Sequence, residues 1–304
     1  MEHNILKNVR YESYLEVKKK QIKLTYNDIE ATVNYHGAEL RSLKKGDREY
    51  LWQADPSYWN RTSPVLFPFV GQVSEGIYRH KGLEYKMGQH GFARDMDFEL
   101  VSKTESTCSF ILKSNDETKK KYPFDFELGI GYELSETGIK IIWNVNNTGE
   151  EKLEFSIGAH PAFNCVLDDT SIRISKGGSM IDSFTNSVFG KGLLTEDKTD
   201  IALDKGIMKL NANSFDGDAY VIENNQTDKI EMLDNEGNTY LAVSFDSPLV
   251  GVWSPPGKNA PFLCIEPWYG RCDKEGYSGE LRDREWNNTL GVNEEFQVSY
   301  RIEI

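Results

Sequence analysis

Apolar and polar residues alternate with a period of two along much of this sequence. The alternation is clearest over residues 124–134, 139–145 and 295–304, where large apolar residues occupy every second position. Weaker versions cover residues 22–26, 29–35, 153–157 and 241–245. Such a pattern places one face of a strand against a core and the other toward water, as in antiparallel sheets.

Turn residues separate these segments, and helical periodicity is scarce. Glu136-Thr137-Gly138 predicts a hairpin that joins the strands ending near 134 and beginning near 139. Only residues 3–17 and 279–288 suggest short helices. With no linker or repeat, the pattern predicts an all-β protein, a large antiparallel β-sandwich over residues 21–304 with residues 1–20 as an N-terminal extension.

Composition and charge narrow the partners and the location. The 304 residues are 38% hydrophobic, which is enough for a substantial core, and 35 basic against 48 acidic residues give a net charge of −13. This acidity argues against a nucleic-acid partner. We expect no membrane span and a cytoplasmic location, because no apolar run reaches membrane-spanning length and the first residues are polar. The sequence does not indicate the oligomeric state.

Several catalytic signatures are missing from the sequence. It contains no G-x-S-x-G elbow, no phosphate-binding loop of the G-x-x-x-x-G-K-[ST] type and no H-E-x-x-H helix. The four cysteines form no C-x-x-C pair and are expected to be reduced thiols. The histidines are too dispersed for a zinc signature, which leaves open a metal site assembled from distant residues.

Two histidines and one glutamate stand in unusual local sequences. His90 precedes Gly91, His160 precedes Pro161, and Glu266 lies inside the mostly apolar run 262–268. Imidazole and carboxylate are the side-chain groups best suited to proton transfer near neutral pH. A carboxylate in an apolar run is either paired or functional, because an unpaired buried charge is costly. These residues predict a proton-transfer site.

The segments around His90, His160 and Glu266 resemble those of the aldose 1-epimerases, or galactose mutarotases. Within this family they are most similar to a bacterial subgroup encoded in some lactose operons. The resemblance extends over residues 21–304, and residues 59–68 are similar to the family's first sugar-site segment. It implies a β-supersandwich with a sugar-binding cleft across one sheet and no metal or organic cofactor. It also implies that Glu266 is the general base, His160 the general acid and His90 a second active-site histidine.

The resemblance further suggests residues that hold the substrate. Arg61 matches a substrate-contacting arginine, and Asp218 matches an aspartate that binds sugar hydroxyls, with Asp216 close enough to compete. Arg94 follows His90 in a pattern typical of this subgroup and of the related hexose-6-phosphate epimerases. Three aromatic residues are expected either to stack on the apolar face of the sugar or to lie in the core: Trp253, Trp268 and Phe163.

These assignments predict a mutarotase that interconverts the anomers of a free hexose such as galactose or glucose. Ordinary pKa values of about 4.3 and 6.5 would leave Glu266 ionised and about a quarter of His160 protonated at pH 7, and more with a carboxylate nearby. A hexose-6-phosphate epimerase is an alternative, because arginines such as Arg61 and Arg94 suit phosphate. Two further alternatives are a non-catalytic sugar-binding protein and a glycoside hydrolase that uses Asp218 and Glu266 as paired carboxylates.

Overall fold

The computed structural model describes residues 20–304, and these residues form an antiparallel all-β structure, as the alternation predicted. The one α-helix within residues 20–304, α1 (Asp116–Lys119), is a single turn. Four 3-10 turns accompany it: Ser74–Gly76, Ala93–Asp95, Leu167–Asp169 and Leu281–Asp283. The helix predicted over 279–288 is therefore only the last of these turns, and the helix predicted over 3–17 lies outside the described residues.

Twenty-six strands follow one another along the described residues. The first ten are β1 (Gln21–Tyr26), β2 (Ile29–Asn34), β3 (Leu40–Lys45), β4 (Arg48–Glu49), β5 (Val65–Leu66), β6 (Ile77–His80), β7 (Leu83–Lys86), β8 (Glu99–Lys103), β9 (Thr107–Lys113) and β10 (Phe126–Ser135). The next eight are β11 (Gly138–Asn147), β12 (Leu153–Phe155), β13 (Ile157–Ala159), β14 (Ala162–Asn164), β15 (Ser171–Lys176), β16 (Ser179–Met180), β17 (Ser183–Phe189) and β18 (Leu194–Ala202). The last eight are β19 (Ile207–Lys209), β20 (Tyr220–Ile222), β21 (Lys229–Leu233), β22 (Thr239–Phe245), β23 (Leu249–Trp253), β24 (Phe262–Tyr269), β25 (Asn288–Leu290) and β26 (Glu295–Glu303).

Two large sheets contain most of these strands. The ten-stranded sheet has the order β16-β15-β21-β22-β26-β11-β10-β9-β8, with β19 paired to β15. The eight-stranded sheet has the order β18-β17-β20-β23-β24-β13-β5, with β14 paired to β24. A third sheet, β1-β2-β3-β4, contacts β9 and β10 of the ten-stranded sheet. One apolar core takes side chains from all three, so the described strands form the predicted sandwich.

The predicted hairpin and the predicted alternation are both confirmed. Ser135 pairs with Gly138 across a two-residue turn, and Ile130 and Ile141 point into the core while their neighbours are more exposed. One strand prediction is wrong. Residues 153–157 form two strands, β12 paired with β25 and β13 paired with β24, because the Ser156 amide donates to the Pro68 carbonyl instead of continuing one ladder.

Strand β24 connects the core to the other side of the eight-stranded sheet. Leu263 and Ile265 point into the main core, whereas Cys264, Glu266 and Trp268 point to the opposite face. Both faces of this strand are buried, which explains why its sequence is nearly continuously apolar. None of the helices in the described part of the chain has the length and hydropathy that a membrane crossing requires. The cytoplasmic location and the boundary at residue 21 stay predictions.

Candidate active site

A cavity of about 360 Å³ lies against the face of the eight-stranded sheet that carries Glu266. Strands β20, β23 and β24 and the residue after β13 contribute to its wall. Eight of the nine site residues predicted from the sequence line it: Arg61, His90, Arg94, His160, Asp218, Trp253, Glu266 and Trp268. Residues separated by more than 200 positions in the sequence therefore meet in one pocket.

The structure places Phe163 elsewhere. This ring lies on β14, is fully buried in the main core and does not line the cavity. Of the two positions expected for Phe163, against the sugar or in the core, the structure shows the core. Between the two competing aspartates, Asp218 lines the cavity while Asp216 is exposed outside it. Asp218 has a left-handed backbone, with φ of 73°, and its Oδ1 accepts from the Ala219 amide at 2.8 Å.

Glu266 and His160 form a buried pair at the floor of the cavity. Glu266 Oε1 lies 3.4 Å from His160 Nδ1, and the two residues are only 1% and 7% exposed. Within residues 20–304, neither Glu266 Oε2 nor His160 Nδ1 has a hydrogen-bond partner. Buried polar atoms without partners are rare and costly, so these atoms point to a ligand that supplies the missing contacts.

Aromatic rings hold the His160 imidazole in place. Trp59 stacks on it with ring centroids 4.7 Å apart, and Trp253 and His90 meet it edge-on at 5.3 and 5.5 Å. Lys258 Nζ in turn donates to the Tyr58 carbonyl beside Trp59. Trp59 was not among the predicted site residues, although it begins the segment 59–68 that carried part of the family resemblance. That segment was the only sequence signal for it.

The position and the tautomer of His90 are fixed by its backbone and by Gly71. His90 has a left-handed φ of 66°, and its amide donates to the Gly71 carbonyl at 2.8 Å. The Gly71 amide donates back to His90 Nδ1 at 3.1 Å, so Nδ1 is an acceptor and the neutral ring carries its proton on Nε2. Gly91 must be glycine, because a Cβ there would lie 2.3 Å from the Phe67 carbonyl oxygen.

A buried ionic network supports the loop that holds His90. Asp273 accepts from the Ser74 amide at 2.8 Å and from Arg284 Nε at 2.6 Å, and its own amide donates to the Gln72 carbonyl. Loss of one partner of such a buried pair typically costs about 3–5 kcal/mol. Nothing in the sequence indicated this network, because it joins Asp273 and Arg284 to backbone groups of residues 72–74, about 200 positions earlier in the chain.

One end of the cavity is positively charged. Arg61 Nη2 contacts Asp95 Oδ1 at 2.8 Å, and Arg94 Nη2 donates to the Gln89 carbonyl at 2.8 Å. The Arg94 Nε is buried without a hydrogen-bond partner among residues 20–304. Burial and then the neighbouring Arg61 guanidinium lower the pKa of Arg94 to about 10. Two guanidinium groups therefore line this end of the cavity, and the exposed Asp95 carboxylate, which does not line it, contacts both.

Burial governs the proton affinities of the catalytic candidates. It lowers the pKa of His160 to about 3, with a further contribution from Arg94, and it raises the pKa of Glu266 well above its ordinary value, with Asp218 adding to the rise. His160 is therefore largely neutral at pH 7 instead of being a quarter or more protonated, because burial and the Arg94 charge both lower its pKa. Both groups favour their neutral forms, so the pair carries one dissociable proton.

Comparisons with known proteins agree with the fold and the pocket. The sequence model of the family described as aldose 1-epimerase matches residues 20–298, so the chain belongs to the aldose 1-epimerase family. Protein LacX, chromosomal, from Lactococcus lactis subsp. lactis is 34% identical over 249 residues, which cover 77% of this chain and 82% of LacX. A protein of Escherichia coli strain K12, named as a proposed glucose-6-phosphate 1-epimerase, is 27% identical over 195 residues, 59% of this chain and 61% of that protein.

Solved structures give the same result. The crystal structure of a galactose mutarotase-like protein from Lactobacillus casei ATCC 334 superposes with a TM-score of 0.87 at 30% sequence identity. The match covers 93% of this chain and 99% of that protein. The fold is therefore the galactose mutarotase-like sandwich, as the sequence resemblance implied.

We predict that His90 stays neutral, with its proton on Nε2, from pH 7 to well below pH 6.5. Burial, and then the nearby His160 and Arg94, lower its pKa. Nitrogen-15 spectra of the histidine rings, assigned with a His90→Gln variant, measure this directly. Because an unfolded histidine protonates near 6.5, the stability contributed by neutral His90 is present above that pH and is lost as pH falls. Proton uptake by His90 near pH 6.5 would contradict the prediction.

Proposed function

We propose that this protein is an aldose 1-epimerase that interconverts the α and β anomers of a free hexose such as galactose or glucose. The observation that carries the proposal is the Glu266–His160 pair, in which a carboxyl and an imidazole lie side by side in one cavity, each with an atom that has no hydrogen-bond partner in the described part of the chain. Membership of the aldose 1-epimerase family supports the same reaction class.

The proposed reaction needs one base and one acid. Glu266 as carboxylate removes the proton from the anomeric hydroxyl, His160 as imidazolium gives a proton to the ring oxygen, and the bond between C1 and the ring oxygen breaks. The products are the open-chain aldehyde, a Glu266 carboxylic acid and a neutral His160. After rotation about the C1–C2 bond, the same transfers in reverse close the ring on the other face of C1.

The number of protons on the pair does not change during this cycle. Carboxylate with imidazolium accompanies the closed sugar, and carboxylic acid with neutral imidazole accompanies the open aldehyde. The second arrangement is the one that burial favours. Transfer of a single proton across the 3.4 Å between Glu266 Oε1 and His160 Nδ1 converts one arrangement into the other without exchange with solvent.

Other cavity residues suit substrate positioning. His90 offers a fixed Nε2–H donor, and we assign it to a sugar oxygen rather than to proton transfer. We assign Asp218 and Arg61 to the sugar hydroxyls, because both line the cavity. Trp253 is more exposed than Trp268, whose indole donates to the Ala159 carbonyl at 3.2 Å, so Trp253 is the better surface for the apolar face of the sugar.

We predict that Glu266→Gln lowers the rate of anomer interconversion by about 10²–10⁴-fold, the usual contribution of one positioned acid or base. The assay follows fresh α-galactose and α-glucose by proton NMR against a buffer blank. Glu154→Gln is the matched control, because Glu154 is a buried glutamate that does not line the cavity. Circular dichroism checks the fold of both variants.

Three other outcomes would each contradict part of the proposal. Full activity of Glu266→Gln would overturn the assignment of the base. Sugar binding by the wild type without acceleration would favour a binding protein on this fold, and hydrolysis of an aryl glycoside would favour a glycosidase.

A hexose-6-phosphate 1-epimerase is the second candidate. The observation in its favour is the positive end of the cavity, where Arg61 and Arg94 lie close enough for one to lower the pKa of the other and Arg94 Nε has no partner among residues 20–304. Guanidinium groups bind phosphate oxygens through paired, charge-assisted hydrogen bonds. The similarity to the Escherichia coli protein named as a proposed glucose-6-phosphate 1-epimerase supports the same alternative.

Comparison of glucose with glucose 6-phosphate separates the two candidates. For a free-hexose enzyme, we predict that the wild-type kcat/KM is at least as high for glucose as for glucose 6-phosphate. The Arg94→Met substitution should leave the ratio of these two kcat/KM values nearly unchanged. A phosphate enzyme would instead prefer glucose 6-phosphate and lose about 10–100-fold of that preference in Arg94→Met, the effect of one charged hydrogen bond. The second outcome would replace the free hexose as substrate.

A further inference from the structure

A cysteine that the proposed reaction does not use lies beside the acid–base pair. Cys264 and Glu266 are two residues apart on β24, so their side chains share the face of the strand on which His160 also lies. The possible ligand atoms of His160, Cys264 and Glu266 all lie within 4.8 Å of one another, and all three residues are buried. The strand pairing of the eight-stranded sheet thus brings an imidazole, a thiol and a carboxyl to one point.

Two atoms of this group are free to bind. His160 Nδ1 and Glu266 Oε2 are buried and have no hydrogen-bond partner among residues 20–304, on side chains that are more than nine-tenths buried. This observation is independent of the spacing, and it distinguishes the cluster from an ordinary set of packed polar residues. Imidazole nitrogen, thiolate sulfur and carboxylate oxygen are the ligand types that Zn²⁺ takes in proteins.

The spacing suits a tetrahedral ion. Zinc–ligand bonds of about 2.0–2.3 Å separate neighbouring ligand atoms by about 3.3–3.8 Å in a tetrahedron. The 3.4 Å between His160 Nδ1 and Glu266 Oε1 is already in that range, and the other separations, which are at most 4.8 Å, need to shorten by no more than about 1.5 Å. His160 and Glu266 line the cavity, whereas Cys264 does not. The fourth position of an ion would therefore face the cavity, which is also its route of entry.

We propose that His160, Cys264 and Glu266 bind one thiophilic divalent cation, with Zn²⁺ the best match, and that the bound ion inhibits the enzyme. Inhibition follows because the ion occupies the general base and the general acid together, so sugar and metal compete for the same atoms. This part rests on the proposed function, whereas metal binding itself does not. Mg²⁺ and Ca²⁺ prefer sets of oxygen ligands and will not substitute.

Cobalt absorption spectroscopy tests the binding site without reference to activity. Wild-type protein titrated with Co²⁺ should take up one ion per chain, with a thiolate-to-cobalt charge-transfer band and the visible bands of tetrahedral Co²⁺, and Zn²⁺ should displace it. Cys264→Ser and Cys264→Ala should lose the charge-transfer band. Cys165→Ser, which alters a thiol outside the cluster, should keep it. Absence of the band in the wild type, or its survival in folded Cys264 variants, would overturn the proposal.

The inhibition is then measured with the same proteins and the sugar assay. Zn²⁺ should slow the wild type and Cys165→Ser at concentrations at which Mg²⁺ has no effect. Cys264→Ser should keep its metal-free rate and need at least about 10–100-fold more Zn²⁺ for the same inhibition. Equal inhibition of wild type and Cys264→Ser would overturn the role of the trio. If no sugar is turned over, the proposed function fails, and the cobalt spectrum still decides the metal site.

Discussion

The burial of Glu266 beside His160 is the constraint on which the site depends. A carboxyl and an imidazole withdrawn from water both favour their neutral forms, and neither can gain charge cheaply unless a proton passes between them. The pair is thereby limited to one shared proton, which is what a reaction with one acid and one base requires. The rings of Trp59 and Trp253 preserve this environment, because they pack against His160 and shield it from solvent.

The fold produces this burial by using both faces of one strand. Alternate side chains of β24 enter the main core and the cavity, so the stability of the sandwich and the position of Glu266 come from the same eight residues. Gly251 on β23 pairs with Glu266 on β24. It has no side chain, and the Trp268 ring fills the space where one would lie. Buried charged residues hold the loop that carries His90, where Arg284 donates a hydrogen bond to Asp273.

The sequence could predict what depends on local pattern. Alternation identified the strands around the 134–139 hairpin, and short motifs with a family resemblance identified nine candidate site residues, of which eight line the cavity. Phe163 could not be placed, because an aromatic residue near a motif suits a core and a cleft equally well. Neither the Asp273 network nor the position of Cys264 beside His160 was visible, since each depends on contacts between segments that are far apart in the sequence. The direction of the His160 pKa shift depends on burial, which local sequence does not reveal.

The pH dependence of kcat/KM for anomer conversion tests the shared proton most directly, because it reports the ionisations of the free enzyme. A second proton enters the pair only near the His160 pKa of about 3, and the last proton leaves only above the raised pKa of Glu266. We therefore predict that kcat/KM, corrected for the buffer blank, stays level through pH 6.5 and that the two limiting pKa values belong to the pair and not to either residue alone. A rate that rises near pH 4.3 and falls near pH 6.5, as for two independent groups with ordinary pKa values, would contradict it.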